Sequence, residues 1–547
     1  WFIIKEEEQK ADEKYASLPP MLKAAQKFRE AIRVLPLSIS EHAVFAGTQR
    51  DAFARSYALI NPSFRVETFA GYCDPTAVYN DIDPTPEFTQ ERIDALRELD
   101  KKTDYIKALS EVYSSCEKHT GEVAYFIEQV TGHLIPDMRY ALKHGVKAML
   151  DDIKAKKESA SDEQKQNYEA MEIALDCVLI LAKRYKEIAE TMLSSAQGER
   201  KEQLALLCNT LGKVPYNGAE TLYEAIQSYI LLWETMCLEQ APNPFAFSVG
   251  NADRIFEPYR ASDNLSREET ASLFKHFLVF FNVADRSWAI SQNLIVSGRD
   301  VDGNDLTNLS TYALLDAYYD MNLPQPILSV KLHKNTPKKL YEELGRFFFT
   351  PGCLTPSLFN DDSLFKVLPA SGIALEDVPD TSIAGCQEPL IMGKDNANTT
   401  NSWFNLGKIL ELTLNDGLSL ITGEEIGTVC EKTDALSALK NIRERFYKNA
   451  QFYCDAMVKA ANGASCAIAH LPVPFLSTVM GGIETGYDLR DTVHQGTKYN
   501  GSGCLIHGSS VVADSFIAID KLLAERPQDA QLLLDALKAN FEGYDEL

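Results

Sequence analysis

Apolar residues recur every three to four positions through most of the first half of the chain, the spacing of a single buried helix face. From Pro20 to Leu35, the side chains Leu22, Ala25, Phe28 and Ile32 fall on one side, and the stretch opens on Pro19-Pro20, a helix-start signal. Further amphipathic stretches run over roughly 87–116, 134–157, 162–195, 200–211 and 218–240. The charged run between 151 and 168 predicts an exposed turn joining two helices. From about residue 244 the pattern changes. Short apolar segments at Phe245–Val249, Pro326–His333, Leu354–Phe359, Thr381–Cys386 and Ala467–Leu471 read as strands. They alternate with helical patterns at 265–285, 306–321, 336–349, 403–416, 435–461 and 510–524. Such alternation predicts parallel strands joined by crossover helices. Near-continuous apolar runs such as Ile327-Leu328-Ser329-Val330 predict strands buried on both faces. The expected fold is an α/β barrel, with a helical layer from the N-terminal half and no low-complexity linker dividing the chain.

Composition narrows the partners. At 547 residues and 45% apolar the chain can bury a large core. A formal charge of −24 argues against nucleic acid and anionic membrane, since both demand clustered Lys and Arg. The densest apolar run, Ala174–Ala182, is interrupted by Asp176 and is too short to span a bilayer. Eleven cysteines are scattered without a Cys-x-x-Cys pair or a His/Cys cluster, which favours reduced thiols over a disulfide framework and gives no metal site. With no secretory signal at the start, the expectation is a cytoplasmic protein. The chain opens on Trp1, as a trimmed product or fragment would.

The segment most suggestive of chemistry is Ile383-Ala384-Gly385-Cys386-Gln387-Glu388-Pro389. A glycine before the cysteine and a proline after the glutamate suit a tight loop that presses a thiol and a carboxyl into one enclosed space. The alternative is a buried structural cysteine beside a surface glutamate. After it comes the polar run Asp395–Ser402, where Asn401 or Ser402 would cap a helix beginning at Trp403. Gly501–Ser510 reads as a glycine-rich loop opening a helix, but its spacing matches neither a P-loop nor a dinucleotide fingerprint.

Taken in order, these segments resemble the glycyl radical enzymes, in their dehydratase and lyase branch. Gly385-Cys386-Gln387-Glu388-Pro389 resembles that family's Gly-Cys-x-Glu-Pro loop, and Phe404–Gly417 its following helix. Gly132-His133-Leu134-Ile135-Pro136-Asp137 resembles its Gly-His-x-x-Pro-Asp segment. Gln325–His333, Pro356–Asp361, Pro474–Ser477, Lys498–Gly501 and Ala513–Ser515 follow in family order. The resemblance covers essentially all of 1–547, with a helical part over about 1–240 and barrel elements mainly over 244–547.

It implies a ten-stranded α/β barrel surrounded by helices, with a thiyl radical on Cys386 that removes hydrogen from substrate and Glu388 as the base. His133 would protonate the departing group or bind a substrate hydroxyl, while Asp137 would cap the next helix or touch substrate. Thr399, Thr400, Asn401 and His507 would line the pocket. It also implies a glycyl radical installed by an S-adenosylmethionine iron–sulfur activating enzyme, a small polar substrate and a homodimer. The family's Arg-Val-x-Gly-Tyr segment does not follow the cysteine, and the chain stops at Asn540–Leu547 in what reads as a continuing helix. The expectation is therefore a truncated form, inactive as it stands. Elimination of water, an amine or a sulfonate is the favoured reaction; an aryl-acetate decarboxylase and a non-catalytic binding protein are the alternatives. A formate-lyase type is disfavoured, because Gly385 and not a second cysteine precedes Cys386.

Overall fold

The computed structural model describes residues 2–47, 89, 91–92, 95, 98–99, 102–108, 110–112, 123–125, 133–239, 246–283, 292–385, 387–396, 398–426, 433–494, 496–500 and 502–547. The N-terminal half is helical, as its periodicity predicts. Pro20–Val34 buries Met21, Leu22, Ala25, Phe28, Ala31 and Ile32. It packs on the long helix Asp162–Ser195. That helix starts at a capping box: the Ser161 hydroxyl accepts from the Gln164 amide while the Gln164 side chain accepts from the Ser161 amide. The charged turn before it joins Arg139–Lys157 to Asp162–Ser195. Nearly half of the predicted 87–116 helix lies outside the described residues, and among those described, residues 102–103 form a turn and not helix. Among the described residues, no helix is long and apolar enough to cross a membrane.

Strand β1 is Ala124–Tyr125, β2 Gly250–Asn251, β3 Asn293–Ser297, β4 Ile327–Leu332, β5 Ser357–Asn360, β6 Thr381–Ala384, β7 Glu388–Ile391, β8 Asn398–Asn405 and β9 Ser502–His507. β2-β3-β4-β5 form a parallel sheet in sequence order. Helices cross between its strands, among them Leu309–Met321 and Lys338–Phe348. β6 and β7 form an antiparallel hairpin, and β8 runs between β1 and β9 in a second sheet. Leu294, Val296, Leu328 and Val330 point from the parallel sheet into the main apolar core, which they share with the N-terminal helices.

Several expectations are corrected. Ala467–Leu471 is not a strand: Ile442–Ile468 is one alanine-rich helix that simply runs on, as good helix formers allow. The polar run after the hairpin and the glycine-rich stretch Ser502–His507 are not loops but the paired strands β8 and β9. Backbone pairing needs no apolar side chains, so composition concealed both. β8 carries the chain to Asn405, and the helix begins only at Leu406, with the Asn405 side chain accepting from the Lys408 amide. Asn401 and Ser402 are therefore not caps. The last helix closes at Lys538, and Asn540 and Phe541 adopt positive φ, so the final residues do not continue it. β2 and β5 are shorter and later than predicted, at Gly250–Asn251 and Ser357–Asn360.

Candidate active site

The cysteine–glutamate segment forms the turn of the β6–β7 hairpin. Register runs from Thr381↔Ile391 to Ala384↔Glu388, leaving Gly385-Cys386-Gln387 as the connection. Cys386 itself lies outside the described residues, as do the side chains of Thr399, Thr400 and Asn401. Gly385 has φ +64, a left-handed conformation that glycine adopts without a Cβ penalty. Its environment is tighter still. A Cβ there would lie 2.3 Å from Cδ2 and 2.5 Å from Nε2 of His133, and 3.0 Å from Oε2 of Glu388. The imidazole and the carboxylate thus converge on the residue that precedes Cys386. Glu388 is buried, and its Oε2 accepts from the Gln387 amide at 2.8 Å, which fixes the carboxylate against the turn.

His133 is buried at the head of an extended segment with φ 60 of its own. Three backbone bonds hold that segment. Leu134 O accepts from Ser248 N at 3.0 Å, Ile135 O accepts from Gly393 N at 2.7 Å, and Asp137 N donates to Val479 O at 3.1 Å. Gly393, at the hairpin exit, sits so close that a Cβ would come 2.4 Å from that of Asp137. Burial depresses the imidazole pKa to about 3. His133 is consequently neutral at ordinary pH, able to donate or accept one hydrogen bond but not to act as an imidazolium acid.

A cationic clamp grips the base of the hairpin, and sequence reasoning did not single it out. Arg139 donates to both Asp380 oxygens at 3.1 and 2.7 Å and also pairs with Asp137. Asp137 accepts from the Arg139 amide at 3.0 Å, close to the capping role expected of it. Arg254 lies 3.3 Å from Asp380 and donates to Pro379 O at 2.7 Å. Lys331 donates to Pro379 O and Thr381 O at 3.1 and 2.9 Å. Burial pushes the Asp380 carboxyl upward, but the Arg139 bonds and the charges of Arg139, Arg254 and Lys394 outweigh it and hold the pKa below the usual carboxylate value. Burial also brings Lys331 down to about 8, partly offset by Asp361. A lysine inside the apolar strand Ile327–Leu332 was the one available signal of this clamp.

The sheet face turned toward the hairpin is mainly polar, with Ile295 and Ile327 among its residues. Asn251, Ile295 and Ser329 share one cross-strand row. By the pleat, Asn293 and Lys331 lie on that same face, opposite Leu294, Val296, Leu328 and Val330. His507 is exposed at the end of β9, its ring stacked on Trp403 with centroids 4.7 Å apart.

A family model described as pyruvate formate lyase-like matches residues 1–547. The chain belongs to this family. Trans-4-hydroxy-L-proline dehydratase of Clostridioides difficile is 30% identical over 431 residues, a match covering 74% of this chain and 53% of that protein. (2S)-3-sulfopropanediol dehydratase of Klebsiella oxytoca is 25% identical over 445 residues, covering 76% of this chain and 53% of the relative. The chain spans about half the length of these curated relatives. Among solved structures, glycerol-bound B12-independent glycerol dehydratase from Clostridium butyricum superposes with a TM-score of 0.86 at 22% identity, over 100% of this chain and 71% of that one. A glycyl radical enzyme from Archaeoglobus fulgidus gives 0.84 at 24%, over 100% and 72%. At that identity the likeness speaks to fold, and it bears out the α/β barrel read from strand–helix alternation. The family membership read from the sequence is borne out.

Proposed function

We propose that this chain carries the catalytic barrel of a glycyl radical lyase, which eliminates a leaving group from a small polar substrate through Cys386 and Glu388. The observation that carries the reading is the hairpin turn, where a neutral imidazole and a buried carboxylate converge on the residue before the cysteine. Radical chemistry needs such an enclosed setting more than it needs strong acids, because positioning and exclusion of water do most of the work. A glycyl radical, installed by an S-adenosylmethionine iron–sulfur activating enzyme, supplies the acceptor for the hydrogen of the Cys386 thiol.

In the proposed cycle, sulfur takes a hydrogen atom from the carbon bearing a substrate hydroxyl, leaving the unpaired electron on that carbon. Glu388 accepts the hydroxyl proton as the neighbouring C–X bond breaks, and returns it to the departing group. His133, being neutral, orients that group by one hydrogen bond. The product radical then recovers a hydrogen atom from Cys386, so that substrate has become a carbonyl compound plus HX and the side chains end as they began. Thr399, Thr400 and Asn401, on the backbone of β8, complete the lining in this proposal, and the assembly is a cytoplasmic homodimer. His507, exposed, is given no part in the cycle.

A second reading has a relative behind it: indoleacetate decarboxylase of Tractidigestivibacter scatoligenes is 25% identical over 378 residues. The polar inner face of β2–β4 favours elimination instead, since an aryl-acetate pocket calls for an apolar lining. The test is anaerobic activation of the protein with an Arg-Val-x-Gly-Tyr segment present, followed by product analysis on a panel of diols, hydroxy acids, sulfonates and aryl acetates. Carbonyl products from a hydroxylated substrate, abolished by Cys386→Ala, are expected. Turnover surviving Cys386→Ala would refute the assignment.

A further inference from the structure

Asn293 is fully buried, and neither polar atom of its side-chain amide has a hydrogen-bond partner among the described residues. This is an unusual state for a buried amide, because each unpaired polar atom costs about 1–3 kcal/mol unless something occupies its place. It is also not alone. The Asn251 side-chain oxygen and the hydroxyls of Ser329 and Ser382 are buried and unpartnered as well. Three of these four residues lie on β2, β3 and β4, and Ser382 lies on β6.

Register and bonding show which way this face looks and where Asn293 falls along it. Asn251 donates to Asp380 O at 3.4 Å and Lys331 donates to Thr381 O at 2.9 Å, so the face carrying these two residues is the one that meets β6. Asn293 shares that face, two residues before Ile295, which pairs with Asn251. The other end of β6 leads to Gly385 and His133. Asn293 belongs to this end. Its backbone nitrogen donates to the Ser248 hydroxyl at 3.0 Å, and the backbone nitrogen of Ser248 donates to the carbonyl of Leu134, the residue after His133. The unsatisfied carboxamide therefore sits on the sheet face that meets β6, linked through Ser248 by two hydrogen bonds to the backbone that holds His133.

The geometry points to Asn293 as a substrate-binding residue that grips two oxygens of a small hydroxylated substrate, one through the donor Nδ2 and one through the acceptor Oδ1. A primary amide presents both in one plane, and a vicinal diol or a hydroxy acid offers the complementary pair. Ser329 and Ser382 supply further hydroxyls on the same side, and water satisfies the group before substrate arrives. This assignment rests on the elimination reading and narrows its substrate to hydroxylated molecules carrying two oxygens that one carboxamide can reach together.

Binding to the unactivated full chain tests it without any radical chemistry. Isothermal titration would use glycerol, trans-4-hydroxy-L-proline and indoleacetate as probes, on wild type, Asn293→Leu, Asn293→Ser and Cys386→Ala. Asn293→Leu has nearly the same shape and removes both unpaired atoms, so it should fold with an unchanged or higher Tm. Asn293→Ser guards against overpacking and retains one hydroxyl. Expected is saturable binding of a hydroxylated probe to wild type and Cys386→Ala, weakened about tenfold or more in Asn293→Leu and less in Asn293→Ser. In activated enzyme the same loss should appear in KM. Equal binding by wild type and Asn293→Leu would overturn the Asn293 assignment and leave the Cys386 reading standing. Binding confined to indoleacetate, or to none of the probes, would overturn both.

Discussion

Replacing Gly385 by alanine tests the site at its tightest point. The new methyl has two costs. One is conformational: at φ +64 a residue with a Cβ is strained by about 1–2 kcal/mol. The other is steric, since the methyl would overlap the His133 ring at 2.3 and 2.5 Å and press on Glu388 at 3.0 Å. The ring is buried, and the segment it heads is fixed by backbone bonds to Ser248 and Gly393, so it has little freedom to retreat. Forcing a methyl into such packing costs roughly another 1–3 kcal/mol. Gly352 provides the internal control, because it has φ +78 and nothing within 4 Å of an added Cβ. Gly352→Ala should therefore show the conformational cost alone. At about 1 °C per kcal/mol for a cooperative unit of this length, calorimetry should find Gly385→Ala some 2–5 °C less stable and Gly352→Ala about 1–2 °C. Turnover should separate them further: a shift of about 1 Å at the reacting groups costs on the order of a hundredfold, whereas Gly352→Ala should leave rate untouched. Equal Tm losses with equal turnover would mean that His133 and Glu388 do not converge on Gly385.

Glu388→Gln keeps shape and removes the base, so kcat should fall about 100- to 10,000-fold while probe binding to unactivated protein persists; a kcat within threefold of wild type would remove the carboxylate from the chemistry. His133, at about 3 in the fold against 6.5 in the unfolded chain, binds its proton more readily when unfolded. Its contribution is therefore fully present above 6.5 and is lost as pH falls toward 3. The Tm advantage of wild type over His133→Gln should accordingly shrink between pH 7.5 and 4.5, and an advantage that grows on acidification would contradict a buried neutral imidazole. Arg139→Met strips the hairpin clamp of one cation while leaving Arg254, so a loss of about 1–2 kcal/mol in chemical denaturation at pH 7 is expected, moderated by partial exposure. Because the Asp380 pKa is held below 3.8, that deficit should persist through neutral pH and fade only as Asp380 protonates; a deficit constant down to the acid limit would locate the effect elsewhere.

Most of the long helices, the parallel strands β4 and β5 and the chemical segment were legible in the amino-acid sequence, whereas strand β3 and the helix Ala252–Asp263 were not. Helical period is a local property, and the limits predicted for Asp162–Ser195 fall on the helix found. Gly385-Cys386-Gln387-Glu388-Pro389 stood out because a turn, a thiol, a carboxylate and a proline are legible within one short segment. Tertiary structure decided what partners those residues have. Strands β8 and β9 escaped notice because their pairing is between backbones distant in sequence, under side chains that read as a polar loop. Arg139 and Arg254 looked like ordinary cations, and Lys331 was merely out of place in an apolar strand, until three separate elements were folded onto Pro379, Asp380 and Thr381. His133 could be chosen from its motif but not given a charge, since desolvation depends on everything packed around the ring. The polar inner face of β2–β4 became visible only through register: alternation along a strand separates two faces, and only the hairpin's position shows which of them faces the site.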